Sequence, residues 1–373
     1  MIPSPLSPAL SPVPGERESL RVLFLTRSYP TRTAPVVAPF TRDHYRAASL
    51  FAEVAVLHAQ KTRDPLPWQI EKEDEAVRVR FRRQPFPGIL RALPELPFRP
   101  DLVHGHFYDA AGPTLLLARR LGVPFVLTEH STLARPLTRL ERCAFREAAR
   151  VMPVSRMLQR SLESSGVEAR YEVVPNVVDL DSFSPAPHPP RPVKRLVAIT
   201  RMTEIKGVPD LLEALRLLLD RRRDWTCDLI GGGERGDDYR ALASRLGLDQ
   251  VVFRGERRRP EVAAALREAD LFVLASRAET FSVATVEALA CGLPAVVTAC
   301  GGPEELVGPD SGVIVPREDP AALAEALDRT LADLERFRPE EIAKRVAGRF
   351  SAEVVGRQLL EIYEETKKAA GAT

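Results

Sequence analysis

The chain has 373 residues, with 53 Lys and Arg against 51 Asp and Glu for a formal net charge of +2. That length suits two domains, each with its own core, and the charge balance gives no reason to expect nucleic acid or another polyanion as partner. Four scattered cysteines (Cys143, Cys227, Cys291, Cys300) without a Cys-x-x-Cys pair argue against a disulfide framework or a zinc site.

Residues 1–19 alternate Pro and Ser with little to bury and read as a disordered tail, and no signal peptide is apparent. Leu20–Leu25 is the first strand, followed by a helix near Thr41–Phe51 and a second strand at Val54–Leu57. Strands near Leu102–Val103 and Phe125–Leu127 alternate with helices near Pro113–Leu121 and Leu137–Ala149. The Pro-rich stretch 185–193 reads as a linker. A second alternation starts at Leu196, with strands near Cys227–Ile230, Val251–Phe253, Leu271–Leu274 and Ala295–Val297. The expected division is an N-terminal domain over 20–184, the linker, a C-terminal domain over 194–350 and a terminal segment over 351–373. Each domain should hold a parallel sheet covered by helices. No apolar run reaches the roughly 20 residues needed to cross a bilayer, so the protein is expected to be soluble or at most peripheral, and the scattered cysteines point to a reducing cytoplasm.

The densest chemistry lies between Glu279 and Glu287. A helix from about Val283 to Cys291, stopped by Gly292, leaves Glu279 in the preceding loop and Glu287 one turn inside. The N–H groups of its first turn favour an anion, and the two carboxylates can accept hydrogen bonds from hydroxyls. A phosphate between two polyhydroxylated ends fits this arrangement, which describes a nucleotide sugar. Arg201 and Lys206 flank a loop ahead of a helix at Val208–Leu219, and two cations there can stabilise a departing diphosphate without a metal.

Five segments carry a family resemblance. They are Asp101–His106, Val126–Ser131, Val174–Asp179, Arg201–Gly207 and Ala278–Val307. In this order they resemble the retaining glycosyltransferases of family four, over about residues 20 to 365. The resemblance implies a GT-B fold, two Rossmann-like doubly wound parallel-sheet domains facing a central cleft, with the last helix crossing back to the first domain. It also implies a metal-independent, cofactor-free transfer from a nucleotide diphosphate sugar of UDP or GDP type to an acceptor hydroxyl. Glu279 would contact the donor sugar and Glu287 the ribose. The backbone of Phe281, Ser282 and Val283 and the Arg201–Gly207 loop, Gly207 included, would meet the diphosphate. The glycine turn with Gly231 and Gly233 would line the nucleotide pocket, and His130 would face the donor sugar. His44 and His106 would lie on the acceptor side.

Two departures stand out. The family often has glycine where this chain has Phe281-Ser282-Val283. It also commonly has paired glycines after the first strand, where this chain has the apolar Thr33–Phe40, so Val36 and Phe40 suggest an acceptor with hydrophobic surface.

Other readings compete. Gly231–Gly236 matches Gly-x-Gly-x-x-Gly after a strand, which would suit a nicotinamide-dependent oxidoreductase, although any tight strand-to-helix turn selects glycine. A catalytically idle sugar-nucleotide-binding subunit is the other alternative. Asp179-Leu180-Asp181 spells Asp-x-Asp but reads better as a turn former than as a metal site. The basic stretch Arg78–Arg83 suits either peripheral contact with an anionic membrane or a strand with one solvated face.

Overall fold

A computed structural model describes residues 19–32, 37–62, 68–73, 75–81, 85–186 and 191–372. Residues 1–18 of the expected tail, Val36, Arg82 and Arg83, and residues 187–190 of the expected linker lie outside the described residues.

The first half contains β1 (Arg21–Thr26), α1 (Pro39–Ser49), β2 (Glu53–Lys61), β3 (Trp68–Glu73), β4 (Ala76–Phe81), α2 (Phe86–Ala92), β5 (Leu102–His106), α3 (Tyr108–Leu121), β6 (Phe125–Glu129), α4 (Arg139–Glu147), β7 (Val151–Pro153) and α5 (Arg156–Ser164). The second contains β8 (Lys194–Ile199), α6 (Val208–Arg221), β9 (Trp225–Ile230), α7 (Gly236–Arg245), β10 (Val251–Gly255), α8 (Arg259–Glu268), β11 (Leu271–Leu274), α9 (Val283–Ala290), β12 (Ala295–Thr298), β13 (Gly312–Val315), α10 (Pro320–Ala332), α11 (Pro339–Phe350) and α12 (Ala352–Gly371).

Two sheets result, in the orders β3-β4-β2-β1-β5-β6-β7 and β10-β9-β8-β11-β12-β13. Every pairing is parallel except β3 with β4, an antiparallel edge. Purely parallel pairing was the expectation. The hairpin departs from it because Glu71 and Glu73 on β3 pair with Arg78 and Arg80 on β4, a match of charge across strands. Interior strands are apolar on both faces because helices cover both. Val22, Leu23, Phe24 and Leu25 of β1 are all essentially inaccessible, as is the whole of β11.

The helices show the complementary stripe. In α6, Val208, Leu211, Leu212, Leu215 and Leu218 are buried at helical spacing. α3 begins at Tyr108, earlier than Pro113 suggested. Pro113 lies early in the helix, where its missing N–H costs a single backbone bond. α12 packs on the first sheet although it follows the second in sequence. Val355, Leu359, Ile362 and Tyr363 share a core with Val22 and Phe24, and Gln358 Nε2 donates to the Val173 carbonyl at 2.9 Å.

Parallel sheets gather loops at the carboxyl ends of their strands. The ends of β1, β5 and β6 therefore bring His106 and His130 to one rim, and the ends of β8, β9 and β11 bring Lys206, the glycine turn and Glu279 to the other.

Candidate active site

β8 ends at Ile199, and the chain passes Arg201 into a single 3-10 turn, Glu204–Lys206. Gly207 then turns into α6 with φ 60°, and a Cβ there would overlap the Ala275 carbonyl oxygen. This close approach to the end of β11 carries Lys206 towards Glu279. Lys206 Nζ donates to Glu279 Oε1 at 2.7 Å, and Ser276 Oγ donates to the same oxygen at 2.8 Å. Both side chains are largely covered. Arg201, at the head of the same loop, is exposed.

The glycine turn is welded to that loop. The Met202 N–H donates to Gly232 at 2.9 Å and the Arg235 N–H donates to Met202 at 3.1 Å. Gly231 and Gly233 have φ 139° and 150°, and a Cβ at either would overlap the Thr200 or Met202 backbone. Loop packing thus accounts for these two glycines with no nucleotide motif invoked.

At α9, Ser282 takes φ 74° as the residue before the helix, with its Oγ 2.7 Å from Thr285 Oγ1. A serine here adopts the conformation that a glycine would provide, at a cost of roughly 1–2 kcal/mol. The Phe281 side chain points into the core, edge-on to Phe350 with ring centroids 5.7 Å apart, so this residue offers a ligand only its backbone. Val283 opens the helix.

Glu287 is buried, and not on the surface where a helix-terminal Glu usually lies. Arg259 Nη2 stands 3.4 Å from its Oε1, and Arg259 Nη1 donates to both carboxylate oxygens of Asp43 at 2.9 Å. Burial pushes the Glu287 carboxyl up to about 7, with the Arg259 guanidinium opposing the shift and the Asp43 carboxylate adding to it. Asp43 and Arg259 escaped sequence reasoning. Arg259 sits in the run Arg257-Arg258-Arg259, which looks like ordinary surface charge, and nothing local distinguishes it.

The opposite wall belongs to the first domain. Thr280 Oγ1 donates to the His130 carbonyl at 2.8 Å, and Ser155 Oγ donates to the Thr280 carbonyl at 2.5 Å. Glu305 reaches across to accept from the Met157 and Arg156 N–H groups, capping α5. His130 therefore faces the Glu279 loop, with Phe40 packed on its ring at 4.7 Å between centroids.

His130 Nδ1 lies 3.0 Å from Asn176 Oδ1, His106 Nδ1 3.1 Å from His130 Nε2, and His44 Nε2 3.0 Å from the Pro175 carbonyl. Burial lowers His44 to about 4 and holds His106 and His130 well below the usual histidine value, so all are neutral at pH 7. His104 has a structural place, between Tyr363 Oη and Thr128 Oγ1 at 2.7 Å each. Asn176, which holds the His130 ring, is visible in sequence only as part of a motif.

Glu129, the residue before His130, is also buried. Its Oε1 accepts from the His130 and Ser131 N–H groups, and burial raises the carboxyl to about 7. Asp179 serves a turn, accepting from Ser182 N–H and Oγ. No helix among the described residues is long and apolar enough to cross a membrane.

The family description "Glycosyltransferase Family 4" matches residues 24–182, and "Glycosyl transferases group 1" matches residues 193–333. A D-inositol 3-phosphate glycosyltransferase of Frankia alni is 32% identical over 273 residues, which are 62% of this chain and 65% of that protein. The enzyme of the same name from Segniliparus rotundus is 31% identical over 313 residues, 74% of this chain and 69% of its own. Among solved structures, Anabaena HepE in complex with UDP and glucose superposes with a TM-score of 0.73 at 19% identity, covering 93% of this chain and all of that one.

Proposed function

The chain belongs to the Glycosyltransferase Family 4 and group 1 enzymes, nucleotide-sugar glycosyltransferases of GT-B architecture, and we propose that it moves a sugar to an acceptor hydroxyl with retention at the anomeric carbon. The observation that carries this reading is the contact between Lys206 and Glu279 beside the first turn of α9. It places a cation, a hydroxyl-accepting carboxylate and an anion-favouring helix terminus within one small region.

The donor diphosphate lies between the α9 N-terminus and the Arg201–Lys206 loop. The backbone N–H groups around Ser282 and Val283 meet its oxygens, and Arg201 and Lys206 neutralise the charge that grows as the sugar–phosphate bond breaks. No metal is needed for that task. Glu279 accepts from hydroxyls of the transferred sugar, Glu287 from the ribose, and His130 closes the sugar pocket from the other domain. In the front-face path the bond from the anomeric carbon to the diphosphate oxygen breaks with its electron pair going to the oxygen. The acceptor hydroxyl attacks from the same side, and its proton passes to the departing diphosphate. The closed cleft excludes water, which would otherwise intercept the oxocarbenium-like centre.

HepE is bound to UDP and glucose in its solved form, which supports a donor of UDP type with GDP as the alternative. The names of the two bacterial relatives place phosphorylated polyols among the acceptors to try, beside glycans and glycolipids. His44, His106 and Phe40 line the acceptor side in this reading. The test is release of nucleoside diphosphate from UDP- and GDP-sugars with that acceptor panel, followed by NMR of the product anomer. Acceptor-dependent release with retained configuration is expected. Binding without turnover on any acceptor would leave an idle binding subunit, and inversion would remove the front-face path.

A further inference from the structure

We propose that His44, His106 and His130 form a site for a divalent transition metal such as Zn2+, reached from the cleft. The three residues come from α1, the end of β5 and the loop after β6, and all are buried. Each contributes one ring nitrogen to a set whose members lie within 4.8 Å of one another.

The tautomers point the same way. His44 Nε2 faces the Pro175 carbonyl, and that bond requires the proton on Nε2, which leaves Nδ1 with its lone pair. His130 Nδ1 faces Asn176 Oδ1, which leaves the lone pair on Nε2. His106 Nδ1 faces His130 Nε2, so one proton now bridges two nitrogens that a metal would join in its place. Both His44 Nδ1 and His106 Nε2 are buried without a hydrogen-bond partner among the described residues. The unpartnered buried lone pair of His44 Nδ1 is costly, and a metal ion would satisfy it.

The outer shell has the form such sites require. Ligating histidines usually hand their second N–H to a carbonyl or carboxylate, which fixes the tautomer. Here consecutive residues, Pro175 and Asn176, do this for two of the three rings. Phe24, Phe40 and Phe107 wall the cluster, with ring centroids 4.6 to 4.9 Å from His106 or His130. Nitrogen ligands at about 2.0–2.1 Å in tetrahedral geometry sit about 3.3 Å apart, so ring rotations complete three corners once the His106–His130 bond is released and the His106 proton moves from Nδ1 to Nε2. The fourth is left for water or a substrate oxygen. Imidazole sets favour Zn2+, Cu2+, Ni2+ or Fe2+ over Mg2+ or Ca2+.

The metal has no part in the proposed transfer. On that reading His130 faces the donor sugar, so metal and sugar compete and the site acts as a metal-sensitive off state. The binding claim itself does not depend on it.

Titration of the metal-free full chain with Co2+, in the absence of nucleotide, tests the site. Intense visible bands of four-coordinate Co2+ should grow to one equivalent and be displaced by Zn2+. His44→Ala and His106→Ala should each weaken Zn2+ binding by about 100-fold or more, whereas His58→Ala, a buried histidine bonded to the Arg27 carbonyl elsewhere, should leave it unchanged. If either ligand variant fails to fold, Asn176→Ala should still lower affinity by about 10–100-fold. Co2+ bands no stronger than those of the aqueous ion would overturn the proposal, as would Zn2+ affinity unchanged in His44→Ala or Asn176→Ala. Because no sugar nucleotide is present, failure here and failure of the transferase reading are separate results.

Discussion

Asp43 on α1 and Arg259 at the start of α8 meet across the cleft, with Arg259 Nη1 2.9 Å from both carboxylate oxygens, although 216 positions separate them. The same guanidinium also faces Glu287, so one cation holds two buried carboxylates together. Removing a partner from such a group typically costs about 3–5 kcal/mol, because the remaining charge stays buried. Arg259→Ala should therefore lower stability by roughly 3 kcal/mol at pH 8. It should cost less at pH 6, where Glu287, pushed up to about 7 by burial, takes up a proton. Denaturant unfolding at both values checks this, and a cost independent of pH would contradict the shared role.

Lys206 and Glu279 should matter to turnover far more than to folding. Each Ala variant is expected to lose two or more decades in kcat/KM, about 3 kcal/mol or above, with a near-native melting temperature. Near-normal turnover in one variant removes that residue from the mechanism.

The buried histidines set the acid limb of stability. Neutral in the fold and protonatable once unfolded, each favours the unfolded chain as pH drops below about 6.5, by up to about 1.4 kcal/mol per pH unit. His44 and His58, both lowered to about 4, follow this sign, as do His104, His106 and His130. Glu129 and Glu287, raised to about 7, work in the opposite sense between about pH 4.5 and 7, but five histidines outweigh two carboxyls. Stability should fall between pH 7 and 5, and His44→Gln should reduce the slope. A flat profile over that range contradicts the burial argument.

Gly231→Ala should be costly and Gly247→Ala should not. Both have positive φ, but a Cβ at Gly231 overlaps the Thr200 carbonyl while one at Gly247 meets open space. A difference of at least about 2 kcal/mol is expected, the Gly247 variant losing only the roughly 1 kcal/mol of an αL alanine. Equal losses would mean that the glycine turn does not brace the Arg201–Lys206 loop.

Much of the donor half was legible because its residues are local to short motifs. Arg201–Gly207 and Glu279–Glu287 each span one strand end and the element that follows, so reading the motif nearly reads the geometry. Ser282 was less legible. The missing glycine stands out as a departure, and only the backbone shows that the serine itself takes the left-handed conformation. Asp43 with Arg259, and the meeting of His44, His106 and His130, were illegible as groups. Their members come from distant elements: Asp43 and Arg259 meet only where the second domain packs on the first, and the three histidines only where α1 lies over the carboxyl ends of the neighbouring strands β5 and β6. The antiparallel β3–β4 edge was missed for a related reason, since charge pairing between Glu73 and Arg78 is a cross-strand property with no period of its own.

The central claim is that a nucleoside diphosphate sugar binds between Lys206, Glu279 and the α9 terminus. Thermal stability against UDP, GDP, ADP, their common sugars and NAD(P), in the wild type and in Lys206→Ala, tests it most directly. At a hundred times its Kd a ligand stabilises by about 2.7 kcal/mol. The prediction is a shift with one nucleoside diphosphate and its sugars that Lys206→Ala largely removes. A shift with NAD(P) alone, or one undiminished in the variant, would contradict it.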